Sequence, residues 1–315
     1  MNTDAIATEH AIRLSRMDAL LPSSDPFVGR GDEAGALYSD NGSSSASGVP
    51  VRSEVIAESS DSLWRALVEY RLIVRLAGPH PGEPLTRILT QWDEYLSRVA
   101  PPGDWDTAAV VPRPSRDTAG SAELLRQGFS PTRVLAVRPA DRLATPGPPT
   151  EPGVRIRPAE RKDLETAVGL YTDLQRYDSQ FGVVTLRANA SDLLAGDLAR
   201  QLDRPDPTVW IAELYGRPLG LLRIQYPAET AWIAPYVAAE RVGYLSSLHV
   251  AEAARSSGVG TALAAHAHQL FDEASVEAVL LHHALASPMS TPFWYSQGYR
   301  PLWTYWYRRP AVYSR

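Results

Sequence analysis

The stretch that decides the fold runs from Leu248 to Thr261 and reads LHVAEAARSSGVGT. Its apolar start is typical of a strand, and an amphipathic helix is predicted from Gly258 to about residue 274. Gly258 and Gly260 lack Cβ atoms, so the backbone can turn tightly and a bulky anion can approach the N–H groups of the helix's first turn. The helix dipole and Arg255 add positive charge at this end. The stretch therefore predicts a pyrophosphate site, although two glycines alone also suit a plain strand-to-helix turn.

The elements around this stretch alternate in a way that predicts a mixed sheet with helices on both faces, an α/β (α+β) fold. Strands are expected at 154–157, 208–214, 219–225, 243–250, 278–282 and 302–308, and helices at 159–171, 190–202, 258–274 and 292–297.

The two halves of the chain have similar sequences near their C-terminal ends. Gln127-Gly128-Phe129 recurs as Gln297-Gly298-Tyr299, 170 positions later, which predicts a shared fold. In that register the two helix-start glycines fall on Ile88 and Thr90, so the N-terminal half lacks the anion site.

Two segments predict breaks in regular structure. The run ATPGPPTEPG at 144–153 excludes helix and strand interior, which predicts domains at 1–145 and 154–315 joined by a linker at 146–153. The Ser/Gly-rich run at 40–48 predicts a mobile loop.

Composition excludes several classes of protein. The formal net charge of −5 argues against a nucleic-acid partner, and the absence of cysteine removes disulfides and thiolate chemistry. No apolar run is long enough for a membrane span, and the first twenty residues carry scattered charges, which predicts no export signal and a cytoplasmic location. The pairs His282-His283 and His266-x-His268 lack a third ligand, so no metal site is predicted.

The run R-x-x-G-V-G resembles the coenzyme A motif of the GNAT acyltransferase superfamily, and residues 154–309 are similar to that superfamily in their order of elements. The ending PFWYSQGYRPLW, at 292–303, resembles tandem GNAT proteins of actinobacteria with a degenerate N-terminal unit. The resemblance implies two GNAT-like domains, each a mixed twisted sheet flanked by helices, of which the second binds acetyl-CoA.

The resemblance also implies which residues hold coenzyme A. The main chain of Leu248, His249 and Val250 would pair with the pantetheine arm. The pyrophosphate would lie on the N–H groups of Arg255, Ser256, Ser257, Gly258, Val259, Gly260 and Thr261. Ser287 lies near the position at which the superfamily usually has an Asn that contacts the cofactor. Trp294 occupies the position at which the superfamily often has a proton-donating Tyr. Both residues are therefore expected beside the cofactor.

The sequence indicates the catalytic groups less clearly than the residues that would bind coenzyme A. Tyr295, one residue after the expected position, is the candidate acid. Strand alternation from Val250 selects Tyr244 and Ser246 as the acceptor-facing side chains, with no carboxylate or imidazole among them. A water-relayed base such as Glu213 or Glu240 is therefore expected.

The resemblance thus implies an acetyl-CoA (acyl-CoA) dependent N-acyltransferase, monomeric or homodimeric, that acts on a small amine or natural product in a ternary complex. A non-catalytic acyl-CoA sensor or scaffold, and O-acyl transfer or hydrolysis, stay open as alternatives.

Overall fold

The computed structural model describes residues 3–23, 26–27, 35–140 and 151–314, so residues 146–150 of the predicted linker lie outside the described part of the chain. The helices are α1 (Thr3–Met17), α2 (Gly82–Val99), α3 (Ser121–Arg126), α4 (Leu164–Asp178), α5 (Ala190–Leu202), α6 (Val259–Glu273) and α7 (Ser290–Ser296). The strands are β1 (Leu37–Asp40), β2 (Ser45–Glu54), β3 (Val68–Ala77), β4 (Thr107–Pro114), β5 (Ser130–Pro139), β6 (Val154–Pro158), β7 (Val209–Leu214), β8 (Arg217–Gln225), β9 (Val242–Val250), β10 (Ala278–Ala284) and β11 (Arg300–Arg308). The element order predicted for the C-terminal half is confirmed.

The strands form one twisted mixed sheet in the order β1-β2-β3-β4-β11-β5-β10-β9-β8-β7-β6. Among the strands of the described residues, only the pairs β3/β4 and β9/β10 are parallel. The predicted mixed sheet flanked by helices is confirmed, but the two halves contribute to a single sheet where two separate ones were expected.

The sheet is continuous because the last strands of the two halves are exchanged. β5, from the N-terminal half, lies between β10 and β11, both from the C-terminal half. β11 in turn lies between β5 and β4. Each exchanged strand is therefore hydrogen-bonded on both sides, and neither half has a complete sheet without the other.

Apolar side chains on the two faces of the sheet form separate cores. On one face, α6 and α7 cover Leu245, Leu281 and Val134, and α2 covers Leu72 and Val111. We call the opposite face the α4 face; there α4 and α5 cover β7 and β8, and α1 packs on β2 and β3 toward the other end of the sheet. No helix among the described residues has the length and apolarity needed to cross a membrane.

The segment at 40–48 is a β-hairpin, so the prediction of a mobile loop was wrong. The Asn41 side chain accepts hydrogen bonds from the N–H groups of Ser43 and Ser44, and Gly42 takes the left-handed φ of 90° that the turn requires. The following serines lie in β2, which pairs with β3 from Ser45 onward. Small side chains thus gain order from strand pairing, which local composition does not reveal.

α4 begins and ends later than predicted. A short 3-10 turn at Arg161–Asp163, with a capping box between Glu160 and Asp163, delays its start to Leu164. The helix continues to Asp178, seven residues beyond the predicted end. This extra length carries the C-terminal end of α4 over the sheet.

The strand exchange generates a prediction about fragments. A fragment of residues 151–315 lacks β4 and β5, so β10 would have one unpaired edge and β11 would lose its partners on both sides, which makes these strands prone to aggregation. We expect this fragment to be insoluble or oligomeric when expressed alone, and to become soluble when residues 1–140 are co-expressed. Size-exclusion chromatography and circular dichroism measure this, and a folded, monomeric lone fragment would contradict the exchange.

Candidate active site

The site begins where two parallel strands part. β9 and β10 pair only from Val242 to Tyr244, although β9 continues to Val250 and β10 to Ala284. Beyond Tyr244, no described strand pairs with this edge of β9. Its main-chain groups are therefore available to an extended ligand, which adds to an open edge as a further strand would.

A β-bulge changes which side chains of β9 face the α4 side of the sheet. Tyr244 pairs with Gln225, but the register with β8 shifts so that Ser247, and not Ser246, lies opposite Arg223. Cross-strand partners share a face, so Ser247 and His249 point the same way as Tyr244. The alternation argument from Val250 was therefore wrong in placing no imidazole on this face.

Val250 itself points to the opposite face. A Cβ on Gly260 would lie 3.7 Å from Val250 Cγ2 and 3.6 Å from the Phe293 ring. These are ordinary van der Waals distances, so a methyl group would fit at 260.

The backbone conformation at Gly258 requires glycine more strictly than the one at Gly260 does. It precedes α6 with φ 82°, which L side chains rarely adopt, and Ser256 also has a positive φ of 60°. Among the described residues no side chain caps α6, so its first-turn N–H groups have no intrahelical or capping partner. A Cβ on Gly258 would lie 2.6 Å from the carboxyl carbon of Glu151, the far end of a flexible side chain.

The loop and the open strand edge fit coenzyme A together. The N–H groups of the loop and first turn, predicted at Arg255 to Thr261, are arranged as donors that suit a pyrophosphate, and we call this arrangement the cradle; a side chain at 258 would lie in the space beside it that the Glu151 carboxyl group now occupies. The Arg255 guanidinium lies 5.8 Å from the centre of the Tyr177 ring at the same end of α6. Glu151 is the one carboxylate against Gly258 among the described residues, and an incoming pyrophosphate would displace it.

Ser287 has other partners than those predicted. Its buried hydroxyl lies 2.9 Å from Tyr177 Oη and 3.1 Å from Ser290 Oγ, and it accepts the Ser290 N–H at 3.0 Å. One hydroxyl has one donor and two acceptor positions, and these contacts use all three. The predicted contact of Ser287 with the cofactor is therefore not supported.

A cavity of about 620 Å³ lies beside the parted strands, mainly on the α4 face, and it also reaches Leu248 and Trp294, which pack with the core on the opposite face. Tyr244, Ser246, Leu248 and Trp294, four of the predicted residues, line it. The hydroxyls of Ser246 and Ser247 are buried there without a hydrogen-bond partner among the described residues. Tyr295 does not line the cavity, because its ring packs edge-on against His283, so it has no direct route to a thiolate there.

Tyr244 lies at the point where β9 and β10 part. Its hydroxyl is 2.9 Å from His282 Nδ1 of β10. Burial raises the pKa of Tyr244, and burial together with Arg133 lowers the pKa of His282 well below its usual value. At neutral pH the pair is therefore a protonated phenol beside a neutral imidazole.

Asp178 is a functional candidate that sequence reasoning missed. It lines the cavity from the last residue of α4 and has no ion-pair or hydrogen-bond partner among the described residues. Burial raises the pKa of its carboxyl to about 6, against the opposing effect of Arg133. A carboxylate with this pKa can accept a proton near neutral pH. In the sequence, Asp178 continues a helical pattern, but the predicted helix ended at residue 171 and so did not include it.

The other expected bases are placed elsewhere. Glu213 accepts a hydrogen bond from Arg157 at 2.7 Å, Glu240 is exposed, and neither lines the cavity. Burial and the nearby Arg255 lower the pKa of His249 to about 4, so its imidazole is neutral at pH 7.

Comparisons with known proteins agree with this geometry. Residues 173–299 match the acetyltransferase (GNAT) family. A GCN5-related N-acetyltransferase from Sphaerobacter thermophilus aligns with a TM-score of 0.58 and 16% identity, over 98% of this chain and 95% of that one. A fungal GCN5-related glucosamine N-acetyltransferase region in a multi-domain GH3 β-N-acetylglucosaminidase aligns with a TM-score of 0.50 and 11% identity, over 84% of this chain and 31% of that one. These similarities show the fold, and no curated protein matches the sequence.

The cradle generates a test with a matched control. Asn tolerates a positive φ, so Gly258→Asn should keep the backbone while placing a side chain in the pyrophosphate volume. We expect it to weaken acetyl-CoA binding at least ~100-fold, about 2.7 kcal/mol, with a melting temperature near wild type. Gly260→Ala should bind within about 3-fold of wild type. Calorimetry measures both, and tight binding by a folded Gly258→Asn protein would place the cofactor elsewhere.

Proposed function

We propose that this chain, whose residues 173–299 match the GNAT acetyltransferase family, transfers an acyl group from acyl-CoA to the nitrogen of a small amine in one ternary complex. The observation that carries the proposal is the position of the cavity. It opens at the parted strands, beside the edge of β9 that suits a pantetheine arm. Donor and acceptor can therefore meet without a covalent enzyme intermediate.

The residues that would hold the donor are the main chain of β9 from 248 to 250 and the first-turn N–H groups of α6. The bound thioester supplies the acyl group and a thiolate leaving group. A cavity at the point where the strands part favours a close approach of amine and thioester, and such positioning supplies much of the rate in acyl transfer.

Asp178 is the base in this proposal. An amine must lose its proton to attack the thioester carbon, and the Asp178 carboxylate faces the cavity with a pKa of about 6. Asp178 takes this first proton from the ammonium group and passes it to water. The neutral amine then forms the C–N bond, the C–S bond breaks, and the second proton leaves the nitrogen for water. The charged neighbours around the cavity are Asp61, Arg65, Glu69, Arg71, Arg133, Asp197 and Arg223.

Tyr244 is the proton donor we propose for the leaving thiolate, in place of Tyr295. It lines the cavity, its raised pKa keeps it protonated at neutral pH, and His282 holds its hydroxyl oxygen at 2.9 Å. The phenol regains its proton from water. A base and a proton donor in one cavity favour catalysis over the non-catalytic sensor.

We also propose that the division at 146–153 separates two units with different tasks. The C-terminal unit, 154–315, would hold the acyl donor, and the N-terminal unit, 1–145, would contribute walls of the acceptor cavity. Trp64, Arg65 and Arg71 support this, because they line the cavity from the N-terminal half.

The proposed role of Asp178 as the base predicts how kcat/KM depends on pH. In wild type, kcat/KM should rise with pH as Asp178 ionises near pH 6 and then level off. Asp178→Asn should lower kcat/KM about 100-fold and remove this limb of the profile. The control Asp192→Asn, at an exposed position of α5, should behave as wild type. Thiol release from acetyl-CoA with a panel of amines measures all three proteins.

Stability gives an independent readout of the same carboxyl. The folded protein disfavours the charged form, so wild type should lose stability as pH rises from 4 through 6, whereas Asp178→Asn should not. The variant should therefore melt higher than wild type at pH 8 and equally below pH 4. Unchanged activity in Asp178→Asn would refute its role as base, and no turnover of any amine by wild type would refute the function.

A further inference from the structure

Arg133 reaches the acceptor cavity because of the strand exchange. It belongs to β5 and lies between Ala284 of β10 and Tyr305 of β11. Its side chain shares a face with Leu135 and Val137, which pack in the core on the α4 side of the sheet. The guanidinium donates a hydrogen bond to the Trp64 carbonyl at 2.7 Å and lines the cavity.

The other arginines of the cavity already have carboxylate partners. Arg65 and Arg71 lie 3.1 and 2.8 Å from Glu69. Arg223 lies 2.6 Å from Asp197. Among the described residues Arg133 contacts no carboxylate: it donates a hydrogen bond to the Trp64 main-chain oxygen and acts on Asp178 and Glu69 only at longer range. The cavity therefore offers one guanidinium whose charge no protein carboxylate neutralises by direct contact.

Among the described residues, nine aromatic side chains line the cavity between these charges. The aromatic residues that line the cavity are Trp64, Tyr171, Phe181, Trp232, Tyr236, Tyr244, Trp294, Tyr305 and Tyr307. They come from both halves of the chain. Such walls suit a planar or bulky apolar group, and the few charged groups fix the ligand's orientation.

We propose that the acceptor is an aromatic amine that also carries a carboxylate, which Arg133 binds while the amine lies toward Asp178. This inference rests on the proposed function and adds the class of acceptor. The planar guanidinium matches a carboxylate in a two-point contact. A single uncommitted cation favours a monoanion over a phosphate dianion.

The inference also gives the N-terminal half a task in specificity. Arg133 and Trp64 precede the predicted linker, yet they line the cavity at which the C-terminal half would bind the acyl donor. Loss of the glycine cradle in the N-terminal half is compatible with this task, because recognition of the acceptor needs no pyrophosphate site.

The test compares two matched pairs of amines, tryptophan with tryptamine and phenylalanine with phenethylamine. Each pair differs by the carboxylate. The ratio of kcat/KM within a pair is measured for wild type, Arg133→Met and Arg133→Lys, with Arg126→Met as an exposed control on α3. Because every protein is tested with the same amines, differences in amine basicity affect each ratio equally and do not affect the comparison between proteins.

We expect Arg133→Met to lower the acid-to-amine ratio at least ~10-fold. The ratio is the readout because Arg133 also lowers the pKa of Asp178, so its loss changes the turnover of both members of a pair. Arg133→Lys keeps the charge but loses the planar fork, so its ratio should fall by less. The inference is overturned if the ratio is unchanged in both variants. It is also overturned if wild type acylates other amines well but tryptophan and phenylalanine poorly. Neither result contradicts the proposed function.

If wild type binds acetyl-CoA but turns over no amine, the proposed function fails, and binding then tests the inference separately. Calorimetry with the coenzyme A-bound protein should find tryptophan bound at least ~10-fold more tightly than tryptamine in wild type but not in Arg133→Met. Equal affinities, or no binding of either acid, overturn the inference. Near-ultraviolet circular dichroism of Arg133→Met and Arg133→Lys verifies that both fold.

Discussion

The antiparallel pairing of β5 with β10 and β11 is the constraint on which the rest of the molecule depends. A strand in the middle of a sheet satisfies its backbone groups on both sides, so its removal would expose two neighbouring edges. The same pairing brings Arg133 of the N-terminal half into a cavity on the C-terminal half. One backbone interaction thus stabilises the sheet and determines which side chains can meet an acceptor.

A second constraint lies in β9, which serves two ligands in different ways. Its early separation from β10 leaves main-chain groups for an extended donor, while its bulge turns Ser247 and His249 toward the side of Tyr244. The adjacent cavity then combines a protonated phenol, a carboxylate with a raised pKa and a guanidinium. Keeping Asp178 partly buried and without an ion-pair partner among the described residues costs stability, which is common where a group must accept protons.

Local sequence signals predicted the local features well. The glycines at 258 and 260, the helix that follows and the order of elements from 154 to 308 depend on short-range patterns, and all form. The features that were missed depend on contacts distant in sequence or on small shifts of register. No pattern within β5 indicates that it pairs with strands about 150 residues away, and one extra residue in β9 reversed the predicted faces. Asp178 was missed because α4 continues beyond the predicted end. Ser45 and Ser47 gain order from pairing with β1 and β3, which the local composition does not reveal.

The central claim is that an acyl donor on the edge of β9 presents its thioester to the cavity that contains Asp178 and Arg133. A crystal structure of the full chain with acetyl-CoA tests this most directly. It should place the pyrophosphate on the first turn of α6, the pantetheine arm along the main chain of residues 248–250, and the acetyl group in the cavity beside Tyr244. A pyrophosphate on another element, or an acetyl group on the α6 face of the sheet, would contradict the claim.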